Sequence, residues 1–417
     1  MLADLVIHNA LEVATCAGPA PRRGAAQANA GLLRDVSIAA HQGRIVFIGP
    51  PDECRLRVSV VPDATGIDAA GCSIVPGFVD AHTHLVYAGD RRGELRRRLA
   101  GATYAAMAAE GGGILATVDA TRQASDDDLV DAALVRLRRM LRCGTTTAEV
   151  KSGYGLTLDD EMRMLRAVHR LGEAQPIDLV ATFLGAHDTP REYRADADAY
   201  VALVAEQMIP AVAQAELATS CDVFCERGAF TVAQSRVILT AARRAGLALR
   251  VHADELTAGG GAELAAEMRA RSADHLVHVT QEGARALAGS GTVATLLPAA
   301  SLYLKLGRYA PARMLIDEGV PIAFGTDLNP GGGLTPSMPV VMTLACFGMG
   351  LTFEEALVAA TINAAYALDV HATAGSLEPG KPLDAVIVDG SLVGLLAADS
   401  RPIRHVLKDG RIVFSER

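Results

Sequence analysis

The chain has 417 residues, half of them apolar, and a formal net charge of −9 at neutral pH. This length and apolar fraction suffice for a large core, either in one α/β barrel or in two ordinary domains. The acidic balance argues against broad nucleic-acid binding, and no run of about 18 apolar residues predicts a membrane span. We therefore expect a globular protein that binds neither nucleic acid nor a membrane.

The amino terminus and the cysteines predict the compartment. The first residues have no basic start followed by an apolar stretch and a small-residue cleavage site. The seven cysteines are scattered and lie mostly in apolar sequence, which fits reduced, buried thiols better than a disulfide framework. We expect a cytoplasmic protein.

Both ends of the chain have the pattern of short strands and turns. Residues 1–70 contain apolar segments separated by a loop rich in Pro, Gly and Ala. Residues 371–417 end in two such segments around Asp409 and Gly410, a typical hairpin pair. We expect the two ends to share one small β domain, beside a catalytic domain of residues 71–370.

The middle of the chain alternates β-rich segments with amphipathic helices, which indicates a parallel sheet. The eight β-rich segments are 72–84, 145–155, 177–187, 221–230, 247–255, 273–279, 292–298 and 321–331. Eight parallel strands predict a (β/α)₈ barrel, whose chemistry lies at the carboxyl ends of the strands. An open doubly wound sheet is the alternative, but the glycine runs of this chain lack the spacing of its phosphate turn.

Histidines and acidic residues follow several of the predicted strands. His82 and His84, in the segment HTH, project on the same side of the first strand, about 6.6 to 6.8 Å apart along it. Further candidates are His252 and Glu255 at strand five, His275 at strand six and Asp327 after strand eight. A barrel brings strand ends into one ring, where three imidazoles and a carboxylate suit a catalytic zinc or iron ion. Such an ion lowers the pKa of bound water to about 7.

These segments resemble the amidohydrolase superfamily, with HTH at the first strand, VHADE at the fifth, ADH at the sixth and GTD at the eighth. The closer resemblance is to the imidazolonepropionase family. Segments similar to that family's occur in its order between residues 70 and 340: AHTHLVYAGDR, GATY, EGGGILATV, TTTAEVKSGYG, FLGAH, VHADE, ADHL and TDLNPG.

The resemblance implies a fold and an activity. The fold would be α/β, a TIM-like (β/α)₈ barrel of the amidohydrolase type with a small flanking β-sandwich formed from both termini. The activity would be hydrolysis of 4-imidazolone-5-propanoate to N-formimidoyl-L-glutamate in histidine degradation. Amidohydrolase barrels often pair, so we also expect a homodimer.

The resemblance further implies the metal ligands and the catalytic groups. The metal ligands would be His82, His84, His252 and Asp327. Glu255 would carry a proton to the departing ring nitrogen, His275 would position the water or polarise the carbonyl, and Asp327 would orient the attacking oxygen. Strand four, CDVFCERG, has no lysine to bridge two ions, so we expect one zinc or iron ion per subunit. Lys151 we expect to shape the KSGYG loop.

The implied substrate carries a propanoate group, which needs a cationic partner. An arginine fork matches a carboxylate, and we expect Arg91 to supply it. The other implied substrate contacts are Tyr104, Tyr154, His187, Glu255, Asn329, Gly331 and Gly332.

Two other functions share part of this pattern. A single-metal deaminase of a cyclic amidine would have the same histidine and acidic residues, but its neutral substrate has no carboxylate for Arg91. A non-catalytic scaffold could keep the barrel alone, although it has no physical need for several convergent polar groups. His278, three residues after His275, could take the role of that histidine.

Overall fold

The amino-terminal part of the chain forms strands that lie outside the barrel. The computed structural model describes residues 1–102, 112–397 and 402–416. Most of these strands are short, in keeping with the turn-rich pattern of this part of the sequence, and β6 is the longest of them with ten residues. They are β1 Leu2–His8, β2 Val13–Ala14, β3 Leu32–Leu33, β4 Ser37–His41, β5 Arg44–Gly49, β6 Ser59–Asp68 and β7 Cys72–Pro76.

Eight parallel strands then form the barrel, each paired with the next along the chain. They are β8 Phe78–Asp80, β9 Thr145–Lys151, β10 Asp178–Ala186, β11 Ser220–Cys225, β12 Ala248–Ala253, β13 Ser272–His275, β14 Val293–Leu296 and β15 Ile322–Phe324. Backbone hydrogen bonds just beyond β8 and β15 close the ring, from Ala81 N to Phe324 O (3.1 Å) and from Asp327 N to His82 O (2.9 Å). The predicted (β/α)₈ barrel is confirmed.

The carboxyl-terminal strands join the amino-terminal ones. They are β16 Ala385–Asp389, β17 Ile403–Lys408 and β18 Arg411–Ser415. One sheet has the order β18-β17-β16-β7-β2-β3 and a second has the order β5-β4-β1-β6. A single apolar core includes Ile7 and Ile38 from the second sheet with Ile74 and Ile387 from the first. The sheets therefore pack face to face, and the predicted β-sandwich of both termini is confirmed.

Helices cover the outside of the barrel. The α-helices of the described ranges are α1 Pro51–Arg57, α2 Arg92–Leu99, α3 Ile114–Gln123, α4 Asp126–Arg142, α5 Leu158–Ala174, α6 Ala197–Leu203, α7 Ile209–Gln214, α8 Val232–Arg244, α9 Gly261–Glu267, α10 Gln281–Ser290, α11 Pro298–Tyr303, α12 Ala312–Asp317, α13 Met338–Met349, α14 Phe353–Ala359 and α15 Ile362–Ala367. Several begin at capping boxes, as α4 does with Ser125 and Asp128. None of these helices is long and apolar enough to cross a membrane.

The first predicted barrel segment, residues 72–84, contains two strands rather than one. Strand β7 pairs with β16 in the terminal sheet, whereas β8 pairs with β9 in the barrel. Gly77 separates them, and a Cβ at this position would lie 2.1 Å from Thr146 Oγ1. Both strands are fully buried, so the sequence shows one continuous apolar run. The division into residues 1–70 with 371–417 and residues 71–370 stays a prediction.

A buried lysine connects the terminal sheets to the barrel. Lys408 Nζ lies 2.8 Å from a carboxylate oxygen of Asp384 and 2.8 Å from one of Asp178, the first residue of β10. We predict that Lys408→Met lowers the free energy of unfolding by about 3 kcal/mol, because Asp384 would remain buried without its cation. Urea unfolding followed by circular dichroism measures this change.

The exposed ion pair between Arg55 and Asp52 on α1 provides the control. Arg55→Met should change the free energy of unfolding by less than about 1 kcal/mol, because water screens an exposed pair. Equal losses in the two variants would contradict a special contribution from Lys408.

Candidate metal centre and active site

Three histidines converge at the carboxyl ends of the barrel strands. His82 and His84 directly follow β8, and His252 lies near the end of β12. Their Nε2 atoms are close together, at 3.1 Å between His82 and His84 and 3.4 Å between His84 and His252. All three rings are buried. The nitrogen atoms thus form a compact group of a size that one metal ion could bridge.

Buried carboxylates face the Nδ1 atoms of two of these histidines and favour a proton on that nitrogen. His82 Nδ1 lies 2.6 Å from Asp274 Oδ2, and His252 Nδ1 lies 3.0 Å from Asp222 Oδ2. A hydrogen on each Nδ1 leaves a lone pair on each Nε2. Bare lone pairs at this separation repel one another unless a cation or a donor lies between them. The donor set therefore fits a metal ion, with carboxylates orienting its imidazole ligands.

Asp327 adds an oxygen to this group. Its Oδ1 lies 3.5 Å from His84 Nε2 and 3.6 Å from His82 Nε2. The residue has a left-handed φ of 51°, and its backbone N–H donates to His82 O, so the position of the carboxylate is fixed. Burial raises the pKa of Asp327 to about 7. A cation at the histidines would favour the ionised form.

Glu255 and His275 lie beside the histidine group. Glu255 Oε1 is 3.5 Å from His275 Nδ1, and both side chains are buried. Burial, with a contribution from Asp327, raises the pKa of Glu255 to about 8. Burial, with the nearby His252, holds the pKa of His275 well below its usual value, so its ring is neutral. Glu255 can therefore exchange a proton with a ligand near neutral pH, whereas the neutral His275 can act as a hydrogen-bond donor.

Arg91 lies at the cavity wall against a glycine loop. Its Nε and Nη2 donate to the two carboxylate oxygens of Glu94 at 3.1 and 2.8 Å. A Cβ at Gly331 would lie 2.6 Å from the Arg91 guanidinium carbon, so only glycine fits at this position. Asn329 Oδ1 accepts from the backbone N–H groups of Gly331 (2.8 Å) and Gly332 (2.5 Å) and holds the loop in shape.

Two aromatic rings form another part of the cavity wall. His187 stacks on His84 with ring centroids 4.9 Å apart and an interplanar angle of 19°. Tyr154 is 5.2 Å from His187 by the same measure. The Nδ1 atom of His187 lies 3.0 Å from Gly153 O, and burial lowers the pKa of His187 to about 3. The ring is therefore a neutral, flat surface against which a ligand could pack.

The structure brings nearly all the predicted site residues into one cavity. Those that line it are His84, Arg91, Tyr154, His187, His252, Glu255, His275, Asp327, Asn329, Gly331 and Gly332. His82 lies behind them, 4.5 Å from His252 between ring centroids. Tyr104 lies outside the described residues. His278 contacts Arg308 at 3.5 Å and is not among the described residues that line the cavity, so His275 is the better candidate.

Several residues near the site were not predicted from the sequence. Asp222 and Asp274 hold the histidine rings, and Arg98 donates to Gly331 O at 3.1 Å. Glu94 follows Arg91 by three residues at the start of α2, a spacing that could have identified this pair. Lys151 differs from its expected role in the KSGYG loop, because its side chain lies inside the barrel, 2.7 Å from Asp222.

Comparisons with known sequences identify relatives along the whole chain. The model of the amidohydrolase family matches residues 73–413. An imidazolonepropionase from Symbiobacterium thermophilum is 50% identical over 386 residues, which cover 92% of this chain and 91% of that protein. An imidazolonepropionase from Geobacillus kaustophilus is 47% identical over 417 residues, which cover 99% of this chain and 98% of that protein.

Solved structures with the same architecture are more distant in sequence. Guanine deaminase from E. coli matches with a TM-score of 0.75 at 17% identity, over 99% of this chain and 100% of that one. Atrazine chlorohydrolase from Arthrobacter aurescens, solved with zinc, matches with a TM-score of 0.73 at 18% identity, over 99% and 95%. At these identities the likeness supports the fold alone.

Proposed function

This chain belongs to the amidohydrolase family and, within it, to the imidazolonepropionases, and on that premise we propose that it hydrolyses 4-imidazolone-5-propanoate to N-formimidoyl-L-glutamate in histidine degradation. The observation that carries the proposal is the position of Arg91. It places a guanidinium on the wall of the cavity that also contains the histidines, Glu255 and Asp327. A single small molecule could then bind the Arg91 guanidinium through its carboxylate while its ring lies beside Glu255 and Asp327.

The family and the histidine group indicate a metal cofactor, and we propose one ion per subunit. Its ligands would be His82, His84, His252 and Asp327. Imidazole and carboxylate donors suit both zinc and iron. When bound, such an ion supplies Lewis acidity and makes water a nucleophile at neutral pH. The homodimer and the cytoplasmic location stay predictions.

Substrate binding uses the cavity wall. Arg91 would hold the propanoate, and Glu94 keeps the guanidinium in place by pairing with its Nε and Nη2. The imidazolone ring would pack against His187 and Tyr154, whose flat surfaces flank His84. Asn329 and the glycine loop would contact the substrate from the other side. Fixing both ends of a small substrate supplies much of the catalytic advantage by orientation.

Ring opening requires one water and two proton movements. Water oxygen adds to the ring carbonyl carbon, the bond from that carbon to the ring nitrogen breaks, and the nitrogen accepts a proton. Glu255 would take a proton from the water and deliver it to the nitrogen, a task that suits its raised pKa. Asp327 would accept a hydrogen bond that orients the water. His275, neutral and buried, would donate to the carbonyl oxygen as it becomes negative.

Turnover of the named substrate tests the function. Purified protein loaded with zinc or iron is mixed with fresh 4-imidazolone-5-propanoate, the loss of ring absorbance is followed, and the product is identified by mass. We expect N-formimidoylglutamate at a rate far above the spontaneous reaction. A folded, metal-loaded sample without turnover would contradict the substrate assignment, and release of ammonia from a cyclic amidine would then favour a deaminase.

We predict that Glu255→Gln lowers kcat by about 10²- to 10⁴-fold, because the amide cannot carry the proton. The metal content should stay at the wild-type level, since Glu255 is not one of the proposed ligands. Metal analysis and steady-state kinetics on the same sample measure both. Glu263→Gln, in the nearby helix α9 and outside the cavity lining, is the control and should keep wild-type kcat. Near-normal turnover by Glu255→Gln would remove this residue from the mechanism.

We predict that Arg91→Ala raises KM by about 10- to 100-fold, because hydrogen bonds to a charged group contribute about 1.5–3 kcal/mol. The adjacent Arg92→Ala provides a matched control, since the Arg92 side chain is 81% exposed and pairs with Asp90. Steady-state kinetics of both variants with the same substrate make the comparison. An unchanged KM in Arg91→Ala would argue for a substrate without a carboxylate.

A further inference from the structure

We propose that Lys151 is a positioning residue that holds the metal-binding histidines in place through two carboxylates. This role rests on the metal site proposed above. Lys151 Nζ is buried inside the barrel, 2.6 Å from Glu149 Oε1, 2.7 Å from Asp222 Oδ2 and 3.7 Å from Asp274 Oδ2. The ammonium group lies below the cavity and is not part of its lining.

The contacts form two short paths from the lysine to the metal ligands. One path runs through Asp222, whose Oδ2 faces both Lys151 Nζ and His252 Nδ1. The other runs through Asp274, whose Oδ2 lies 2.6 Å from His82 Nδ1 and 3.7 Å from Lys151 Nζ. Each carboxylate thus uses the same oxygen for a histidine and for the lysine. Removal of the ammonium would leave Asp222 held only through Oδ1, by the backbone N–H groups of Val223 and His252, and would take the lysine away from Asp274. Both imidazoles would then lose part of the support for their Nδ1 atoms.

The strand positions explain why one lysine can reach both carboxylates. Glu149 and Lys151 are two residues apart on β9 and point to the same side, into the barrel. Asp222 lies on β11 and Asp274 on β13, so strands two, four and six contribute to one interior layer. Layers of a barrel usually contain branched apolar residues. A charged layer directly below the histidines therefore costs desolvation free energy, and we expect it to serve a function that offsets this cost.

The lysine is charged in this environment. Burial lowers its pKa, but the carboxylates of Asp222 and Glu149 outweigh that effect and hold the pKa above its usual value. Arg250, on β12, is the other cation, 3.6 Å from Glu149 Oε1, and it also donates to Ser272 Oγ and Ala367 O. Three buried carboxylates thus share two cations, and Lys151 is the one that contacts the two carboxylates next to the histidines.

The rate of metal release distinguishes a positioning role of Lys151 from a purely structural one. The variants are Lys151→Met and Lys151→Met combined with Glu149→Gln. The double variant removes one positive and one negative charge, so the net charge of the layer is unchanged and the loss of stability is reduced. Each protein is loaded with Zn²⁺, and release into excess EDTA is followed with a zinc-sensitive dye.

We expect Zn²⁺ release from both Lys151 variants to be about 10- to 100-fold faster than from the wild type, the usual effect of removing a residue that orients metal ligands. Glu149→Gln alone should release Zn²⁺ at the wild-type rate, because the contacts of Glu149 are with Lys151, Thr182 and Arg250 and not with the histidines or with the two carboxylates that face them. Lys408→Met removes a lysine that is buried to a similar degree, and it should also release Zn²⁺ at the wild-type rate.

The proposal is overturned if the double variant, folded by circular dichroism, releases Zn²⁺ at the wild-type rate. It is also overturned if Lys408→Met and the Lys151 variants lose Zn²⁺ equally fast, since release would then report general stability. Failure of the wild type to bind one Zn²⁺ per subunit would overturn the metal site itself. Wild-type Zn²⁺ binding without turnover would overturn only the substrate assignment, so the two failures are distinguishable.

Discussion

The structure of the site depends on imidazole lone pairs that are forced to face one another. A neutral imidazole presents a bare Nε2 only while its Nδ1 keeps the proton, and here carboxylate oxygens of Asp274 and Asp222 lie 2.6 and 3.0 Å from the Nδ1 atoms of His82 and His252. Those carboxylates are fully buried, so they in turn need a cation, which Lys151 supplies. The need to keep the Nε2 lone pairs free at the cavity thus accounts for the carboxylates and the lysine that lie deeper in the barrel interior.

The groups that serve the candidate site and the groups that stabilise the fold lie in different parts of the barrel. Charged groups inside the barrel cost desolvation, and their pairing offsets only part of that cost. The apolar core lies elsewhere, between the barrel strands and their helices, where residues such as Leu137 and Leu165 of α4 and α5 pack against the outside of the sheet. Burial of these side chains contributes about 1.5–3 kcal/mol each. Packing of the helices can therefore stabilise the barrel although its interior contains charged groups.

The sequence predicts the residues at strand ends better than those inside the strands. His82, His252 and Asp327 could be found because a barrel brings all its carboxyl strand ends together, whatever the details of packing. Lys151 and Asp222 could not be placed in the same way. In β9 the polar Glu149 and Lys151 alternate with the apolar Ala148 and Val150, but every residue of the strand is buried, so the alternation does not show which side faces the barrel axis. The contacts of Lys151 with Asp222 and Asp274 show that it points to the barrel axis.

Complete burial of β7 and β8 likewise hides where the chain passes from the terminal sheet into the barrel, and that passage positions the proposed metal ligands. Strand β7 pairs with β16 over five residues, Gly77 N donates to Asp384 O at 2.9 Å, and β8 begins at the next residue. His82 follows within a few residues and is fixed from the far side by the backbone of Asp327. The HTH segment is therefore anchored on one side by a sheet made from both chain ends and on the other by the last barrel strand. A displacement of the terminal sheet would move His82 and His84 directly, which gives the small domain a part in the geometry of the site.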